Sequence, residues 1–497
     1  MLFGDAIGWQ VLSMTNNGLV AYRKVGGPDG LTIVPDLASA LPEISDDGLT
    51  YRFAVRDDVV YSNGDRVRPE DFRRALERSI ALSDARYYFR AIVGADKCRK
   101  PPKTCALSQG IEAGEDSVTF HLAVPDGDLL LKLALPFAFA VPADTPIEDV
   151  GYEPVPATGP YEITQASDKG LELERNPRFR EWSAAAQPDG YADTISIEFG
   201  EHDDAFDRVA AGDLDVTLAP PNPKDLAVAR AEFPARIFEA NAAQTVFVGF
   251  DVTRRPFDDE RVRQALSYAL YRDRIVDVLG GAETQRATCQ ILPPSFQGYT
   301  PYCPFTRDPG AEWSGPDVDR GRELIEQAGA AGQPVGLSIS EDYYPGAAEV
   351  MEEVTAALNQ IGLEATLEIL PQDRYIQDAF TPPGSPQHPQ VLSYTWFLGF
   401  PGASEFLAPQ FGCGENFNVT GYCEPAVDRR MEEAKSLQIS DPGSASRAWS
   451  DIEHDLVDDA ALVPVANPIL TFVVSERAGN VQINPQFGVL LGQIWVT

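Results

Sequence analysis

The sequence predicts an α/β protein of more than one domain. Three observations carry that prediction. Hydrophobic spacing switches between period two and period 3.6 along almost the whole chain, a strand–helix–strand run lies between residues 335 and 369, and 497 residues exceed one ordinary core. In chain order, Tyr51-Arg-Phe-Ala-Val alternates as a half-buried strand does, and Ser62-Asn-Gly-Asp65 carries turn chemistry. Pro69-Glu-Asp then opens a helix with proline and acids in its first turn, its apolar face formed by Phe72, Ala75, Leu76, Ser79 and Ile80. Val118-Thr-Phe-His-Leu returns to a strand. From Asp258, the residues Val262, Ala265, Leu266 and Ala269 keep helical spacing, and Gly280-Gly281 stops the segment that follows. Val335, Leu337 and Ile339 alternate; Ala347, Val350, Met351, Val354, Leu358 and Ile361 keep helical spacing up to Gly362; Ala365, Leu367 and Ile369 alternate again. Strand, helix and strand with short connections make a crossover between parallel strands. Pro- and Gly-rich stretches at 293–316 and 381–389 read as surface loops, because periodic segments resume directly after them.

Composition narrows the function. The chain is 44% hydrophobic and 23% charged, as folded proteins are, but 75 acidic against 40 basic residues give a net charge of −35. Nucleic-acid binding rests on clustered Lys and Arg, so no nucleic-acid partner is expected, and docking on an anionic membrane face is equally disfavoured. The acidic excess reads first as a solubilising surface. No run of eighteen apolar residues is present. The opening Met1-Leu-Phe-Gly-Asp-Ala-Ile has neither a basic nor an apolar region of a signal peptide.

The six cysteines fall into close pairs, Cys98 with Cys105, Cys289 with Cys303 and Cys413 with Cys423, each bracketing a turn-rich stretch. An even count in local pairs reads as three disulfides, with reduced buried thiols as the alternative. Zinc wants shorter spacings and nearby histidine, and the four histidines are scattered, so no metal site is expected. Each small ring would contribute roughly 2.5–3 kcal/mol in the loop-entropy treatment. Disulfides imply an oxidising compartment, so the chain is expected to be extracytoplasmic, in periplasm, cell envelope or medium, with its signal or anchor absent from the sequence shown.

Catalytic motifs are missing. There is no nucleophile elbow, no H-E-x-x-H, no phosphate-binding loop and no dinucleotide fingerprint, and no cofactor is expected. A carboxylate-dependent hydrolase needs a pair of acids flanking a cleft, and nothing singles out a pair among so many. Tyr394-Thr-Trp396-Phe397-Leu-Gly399-Phe400-Pro-Gly402 is more suggestive, with four aromatics beside two glycines directly after a strand start. Such a stretch lines a ligand pocket or fills a core.

Several segments together resemble the family 5 solute-binding proteins of ABC importers, and in the right order along nearly the whole chain. Leu49 to Phe72 is similar to the family's strand, turn and helix start; Pro35-Asp-Leu-Ala precedes it as in the family. Ala157-Thr-Gly-Pro-Tyr161, Arg175-Asn-Pro-Arg-Phe179 and Pro256-Phe-Asp-Asp-Glu-Arg-Val-Arg-Gln-Ala-Leu-Ser-Tyr-Ala-Leu270 resemble further family stretches, as do Trp449–Ile452 and Leu462-Val-Pro-Val near the end. The segments bracketed by the two later cysteine pairs resemble actinobacterial members.

The resemblance implies a two-lobed periplasmic-binding-protein-like fold (type II, family 5) with a hinge and an interlobe ligand cleft. It places lobe I at 1–245 with 468–497, including a subdomain at about 36–154, and lobe II at 246–467. It implies a non-enzymatic monomer that captures a small solute, oligopeptide-like or other, and delivers it to an ABC permease. The same module used as a ligand sensor in a longer regulatory chain is the alternative. The ligand is expected against Trp396, Phe397, Gly399 and Phe400, with Tyr394 beside them, and Asn16, Gly18 and Tyr22 on a facing wall. Peptide binders of the family carry an Asp that pairs with the ligand's amine where Gly399 stands here. That implies a less charged, more apolar or glycosidic ligand, or an acid elsewhere, such as Glu405, in its place.

Overall fold

A computed structural model describes residues 6–83, 85–98, 105–200, 204–397 and 399–497. The first five residues, on which the reading of a missing signal peptide rests, lie outside them, as does most of the loop between Cys98 and Cys105. The chain divides into two compact units, Met1–Ala240 with Thr471–Thr497, and Asn241–Leu470.

The first unit holds antiparallel sheets. One has the order Glu43–Ile44, Thr50–Ala54, Ser117–His121, Ile111–Ala113; a second runs Tyr161–Ala166, Gly170–Arg175, Thr194–Glu198. Alternation buries Tyr51 and Phe53 and leaves Arg52 and Ala54 exposed. The turn before the first long helix closes at Gly64, whose φ of 95° only glycine adopts cheaply. The helix Pro69–Leu82 begins with proline at its first position, where a missing N–H is harmless. Asp71 accepts from the Arg68 N–H at 2.8 Å and from the Tyr61 hydroxyl at 3.0 Å, closing the helix start onto that turn. Phe72, Ala75, Leu76 and Ile80 are buried as their spacing predicts, while Ser79 turns its hydroxyl to the Phe137 carbonyl at 2.7 Å.

Among the described residues, parallel pairing is confined to the second unit. Its sheet has the order Leu462–Val473, Gln244–Phe250, Val391–Phe397, Pro334–Ile339, Glu364–Ile369, with Gln285–Ala287 paired to the first strand. Pro334–Ile339 and Glu364–Ile369 are parallel and joined through the helix Ala347–Gln360, the crossover that the spacing predicts. Gly362, at φ 104°, follows that helix. The helix Glu260–Ala269 is capped by Asp259, and Val262, Ala265, Leu266 and Ala269 are fully buried. Helix Val318–Ala328 lies so close that a side chain at Gly321 would sit 2.9 Å from the Ala265 carbonyl. The aliphatic and aromatic residues of these elements form one continuous core.

All three cysteine pairs are joined, Cys98–Cys105, Cys289–Cys303 and Cys413–Cys423. The middle ring is also held by a buried carboxylate. Glu453 accepts from the Gln290 amide at 2.8 Å and from the backbone N–H groups of Ile291 and Leu292 at 2.9 and 3.1 Å. Arg272, 1% exposed, donates to the carbonyls of Thr288, Pro464 and Ser267, so a buried cation is satisfied without a carboxylate. Among the described residues, no helix is long and apolar enough to cross a membrane.

Two predictions follow from these anchors. Material prepared under oxidising conditions and denatured without reductant will titrate no free thiol; six free thiols would overturn the pairing. Burial pushes the Glu453 carboxyl up to about 7 from 4.5, against the hydrogen bonds that favour its charged form. Between those values the folded chain binds more protons than the unfolded one, so this group's contribution falls as pH rises. Wild-type stability relative to Glu453→Gln, from denaturant melts, will therefore drop by up to about 3 kcal/mol between pH 4.5 and pH 8. A gap that grows with pH would refute the assignment.

Candidate functional site

In the second unit the aromatic stretch follows from the parity of one strand. Val391–Phe397 pairs antiparallel with Gln244–Phe250, setting Tyr394 opposite Phe247 and Trp396 opposite Thr245. Alternate residues face opposite sides, so Tyr394 and Trp396 share one face and Phe397 takes the other. Tyr394 is 7% exposed; its hydroxyl donates to the Gln410 side-chain oxygen at 2.8 Å, and its ring lies 5.5 Å from that of Phe247. Burial, reinforced by the neighbouring Tyr343, holds its hydroxyl well above the ordinary tyrosine range. Trp396 is half-buried and donates its indole N–H to the Glu405 carbonyl at 3.3 Å. Phe397 is 70% exposed. Gly399 is buried and Phe400 is 2% exposed. Gly402 makes room for Phe400: a side chain there would approach its ring to 2.6 Å. Helix Ala403–Phe411 starts at once, with Glu405 buried in its first turn.

The candidate stretch therefore divides. Tyr394 and Phe400 are packed inside, Gly399 is covered, Phe397 faces outward and Trp396 lies between these extremes. Two aromatics that the sequence reading missed come to Trp396 from other segments. Phe417, inside the Cys413–Cys423 ring, stands edge-on to Trp396 at 5.2 Å between ring centroids, and Phe380 stands edge-on to Phe417 at 6.4 Å. The only sequence signal for either is an aromatic placed in a loop, beside Thr381-Pro-Pro or between paired cysteines.

In the first unit the candidates are buried. The Asn16 side chain accepts from the Thr15 hydroxyl at 2.8 Å and donates to the Pro156 carbonyl at 3.2 Å. A side chain at Gly18 would meet the Leu133 carbonyl at 3.0 Å. Tyr22 is fully buried and donates to the Leu131 carbonyl at 2.9 Å; burial and then the charge of Asp128 hold its hydroxyl well above the usual range. Beside them lies a polar knot that uses the quoted motifs. Asp36 accepts from the Asn17 amide and the Trp182 indole, each at 2.8 Å, and the Asn17 oxygen accepts from the Thr158 hydroxyl at 2.9 Å. Gly159 packs so tightly that a side chain would overlap the Met14 carbonyl, and the Asn176 amide donates to the Gly159 carbonyl at 2.9 Å. Burial raises the Asp36 carboxyl to about 6 and lowers the Lys24 ammonium, seated 4.2 Å over the Phe487 ring, to about 7. Among the described residues, no group of three or more His, Cys, Asp or Glu could hold a metal ion.

Comparison with known proteins gives the frame for this geometry. The model of the family described as "Bacterial extracellular solute-binding proteins, family 5 Middle" matches residues 32–418. The dipeptide-binding protein of Pseudomonas aeruginosa is 23% identical, the match covering 94% of this chain and 87% of that protein. The dipeptide-binding protein of Escherichia coli is also 23% identical, over 84% of this chain and 78% of its own length. Among solved structures, "Clavulanic acid biosynthesis oligopeptide binding protein 2" superposes with a TM-score of 0.83 at 23% identity, covering 99% of this chain and 92% of that one. The unliganded open form of a periplasmic murein tripeptide binding protein superposes with a TM-score of 0.79 at 18% identity, covering 98% and 92%. At these identities the structural likeness speaks for the fold alone.

Proposed function

The chain belongs to the bacterial extracellular solute-binding proteins of family 5, non-catalytic extracytoplasmic components that work with ABC importers, and from that premise we propose that its solute is a short, weakly charged peptide. The observation that carries the mechanism is the path of the chain. It passes from one compact unit to the other at Ala240–Asn241 and back at Leu470–Thr471. The chain thus enters and leaves the second unit once each, through two connections. The peptide class is supported by the relatives' own names, which specify dipeptides.

Trp396 and Phe397 are the proposed contacts, with Tyr394, Gly399 and Phe400 as the wall behind them. Asn16, Gly18 and Tyr22 are buried in the first unit, and in this proposal they act by shaping that unit from within. Gly399 supplies no carboxylate where the resemblance places one, and a buried ammonium without a partner costs several kcal/mol. Glu405, buried in the first turn of the adjoining helix, is the acid proposed to meet a ligand amine. The protein acts as a monomer in this proposal. The likeness of the cysteine-bracketed segments to actinobacterial members belongs to it too, although the relatives named above are from Pseudomonas and Escherichia.

Mass spectrometry of what is released when the purified protein is denatured identifies the solute class directly. In thermal melts a panel of di- and tripeptides will raise the midpoint, and scattering will show a smaller radius of gyration at saturation. Trp396→Ala will weaken binding by roughly 1–3 kcal/mol and keep the melting profile of the unliganded protein. Wild-type affinity in folded Trp396→Ala would remove this stretch from the site, and a non-peptide solute in the released fraction would overturn the peptide reading.

A further inference from the structure

We propose that Arg286 is the residue with which the second unit holds the carboxylate of the captured solute. This rests on the reading that the stretch at Trp396 touches the solute, and deepens it by naming what holds the solute's other end. Four strands place side chains in a row on one face of the sheet. Trp396 stands directly opposite Thr245, the Asn467 amide donates to the Thr245 hydroxyl at 2.8 Å, and Arg286 stands directly opposite Asn467. Directly opposite residues share a face, so the row runs Trp396, Thr245, Asn467, Arg286. Three strand spacings separate its ends, roughly 14 Å, which a tripeptide and the side chains facing it can fill.

The Arg286 end of this row is polar and short of partners. Other arginines of the unit are committed: Arg274 pairs with Glu353 and Arg374 with Asp378, while Arg263 and Arg272 donate to backbone carbonyls. Among the described residues of the unit, only Arg286 and Arg429 have a guanidinium with neither a hydrogen bond nor an ion pair. Arg429 belongs to the helix Pro425–Ser440; Arg286, exposed, is the one on the sheet. Asn467, 2% exposed, also donates to the Gln244 carbonyl at 3.0 Å, and its side-chain oxygen has no donor among the described residues. A buried acceptor left unpaired is a standing cost, which a donor carried in by a solute or by its water removes. Tyr299 lies half-buried on the loop closed by the Cys289–Cys303 bridge, and its hydroxyl has no partner among the described residues. Burial and then the Glu453 charge push that hydroxyl up, with Arg286 pulling the other way, so it stays protonated, a donor within the field of the cation.

These groups suit one chemistry. A guanidinium offers its N–H groups in a planar fork that matches the two oxygens of a carboxylate, and a phenol adds a further donor. In a chain of net charge −35, an entering carboxylate is repelled on average and needs an uncommitted cation to hold it. Glu405, whose carbonyl takes the Trp396 indole N–H, supplies an acid at the opposite end of the row. The bound peptide therefore runs from its amine at Trp396 to its carboxylate at Arg286.

The test uses the full chain with Ala-Ala-Ala and its C-terminal amide, measured by calorimetry. N-acetylalanine and N-acetylalaninamide form a second pair, followed by saturation-transfer NMR. The wild type will prefer the tripeptide acid over its amide by about ten-fold. Arg286→Gln, a change at an exposed position, will remove that preference and leave the amide's affinity and the melting profile unchanged. Arg286→Lys keeps the charge without the fork and will recover part of the preference. If neither tripeptide binds but N-acetylalanine saturates in the wild type and not in Arg286→Gln, the anchor stands and the peptide reading falls. If Trp396→Ala binds as the wild type does while Arg286→Gln loses the preference, the anchor stands and the contact at Trp396 falls. Equal affinity for acid and amide in the wild type, a preference that survives Arg286→Gln, or no signal from any probe overturns the anchor.

Discussion

One strand bears on both compact units. Leu462–Val473 pairs with Gln244–Phe250 and with Gln285–Ala287 in the second unit, then runs through Leu470–Thr471 into the first. There Val473 joins the small core of Phe206, Val209 and Ala229, and the Val474 N–H reaches the Arg236 carbonyl at 3.0 Å. Two prolines interrupt its ladder, and the fold uses both. Pro464 lies opposite Phe247 where the register shifts, and its carbonyl accepts from Arg272 at 3.0 Å; the Pro468 carbonyl accepts from Ala242 N–H at 2.9 Å. A proline cannot donate but keeps its acceptor, so each position trades a ladder bond for a bond to another segment. Burial lowers the Arg272 guanidinium to about 9, which still leaves it charged at neutral pH, and three carbonyls share that charge.

Buried acids do a comparable task elsewhere. With 75 acidic residues, most carboxylates can only face water, yet Asp36, Asp251 and Glu453 lie inside. Each joins segments far apart in sequence: Asp36 with Trp182, Asp251 with Gly384, Glu453 with Ile291 and Leu292. A carboxylate offers two oxygens and several lone-pair directions, so it can collect donors from different loops with defined geometry. Apolar contact has no such direction. It fills the core here but does not by itself say which loop goes where.

The legible parts of this fold are those with a period. The crossover at 334–369, the helix from Glu260 and the turn at Gly64 could be read because spacing and turn chemistry report on local structure. The antiparallel sheets of the first unit were less legible, since short alternating strands look alike whichever way their neighbours run. Asn16, Gly18 and Tyr22 show a second limit: a polar side chain or a tyrosine in a sequence gives no sign of whether its partner is a ligand or a backbone carbonyl. The aromatic stretch was half legible. Its composition marked it, but only strand parity separates Tyr394, turned in on Gln410, from Phe397, turned out. Phe380 and Phe417 carry no period at all, and long-range hydrogen bonds from His388 and Asp251 bring their loops together.

The hydrogen bonds that join these loops also fix their conformation. A loop that must be ordered by its ligand charges the ordering entropy against affinity, at roughly 1–2 kcal/mol per residue fixed. Here the order is held by the chain's own contacts: a disulfide closes the loop of Phe417, a histidine ties it to the segment of Phe380, and a strand fixes Trp396. The arrangement of these loops is therefore a property of the packed chain, set by its buried polar contacts and its disulfide.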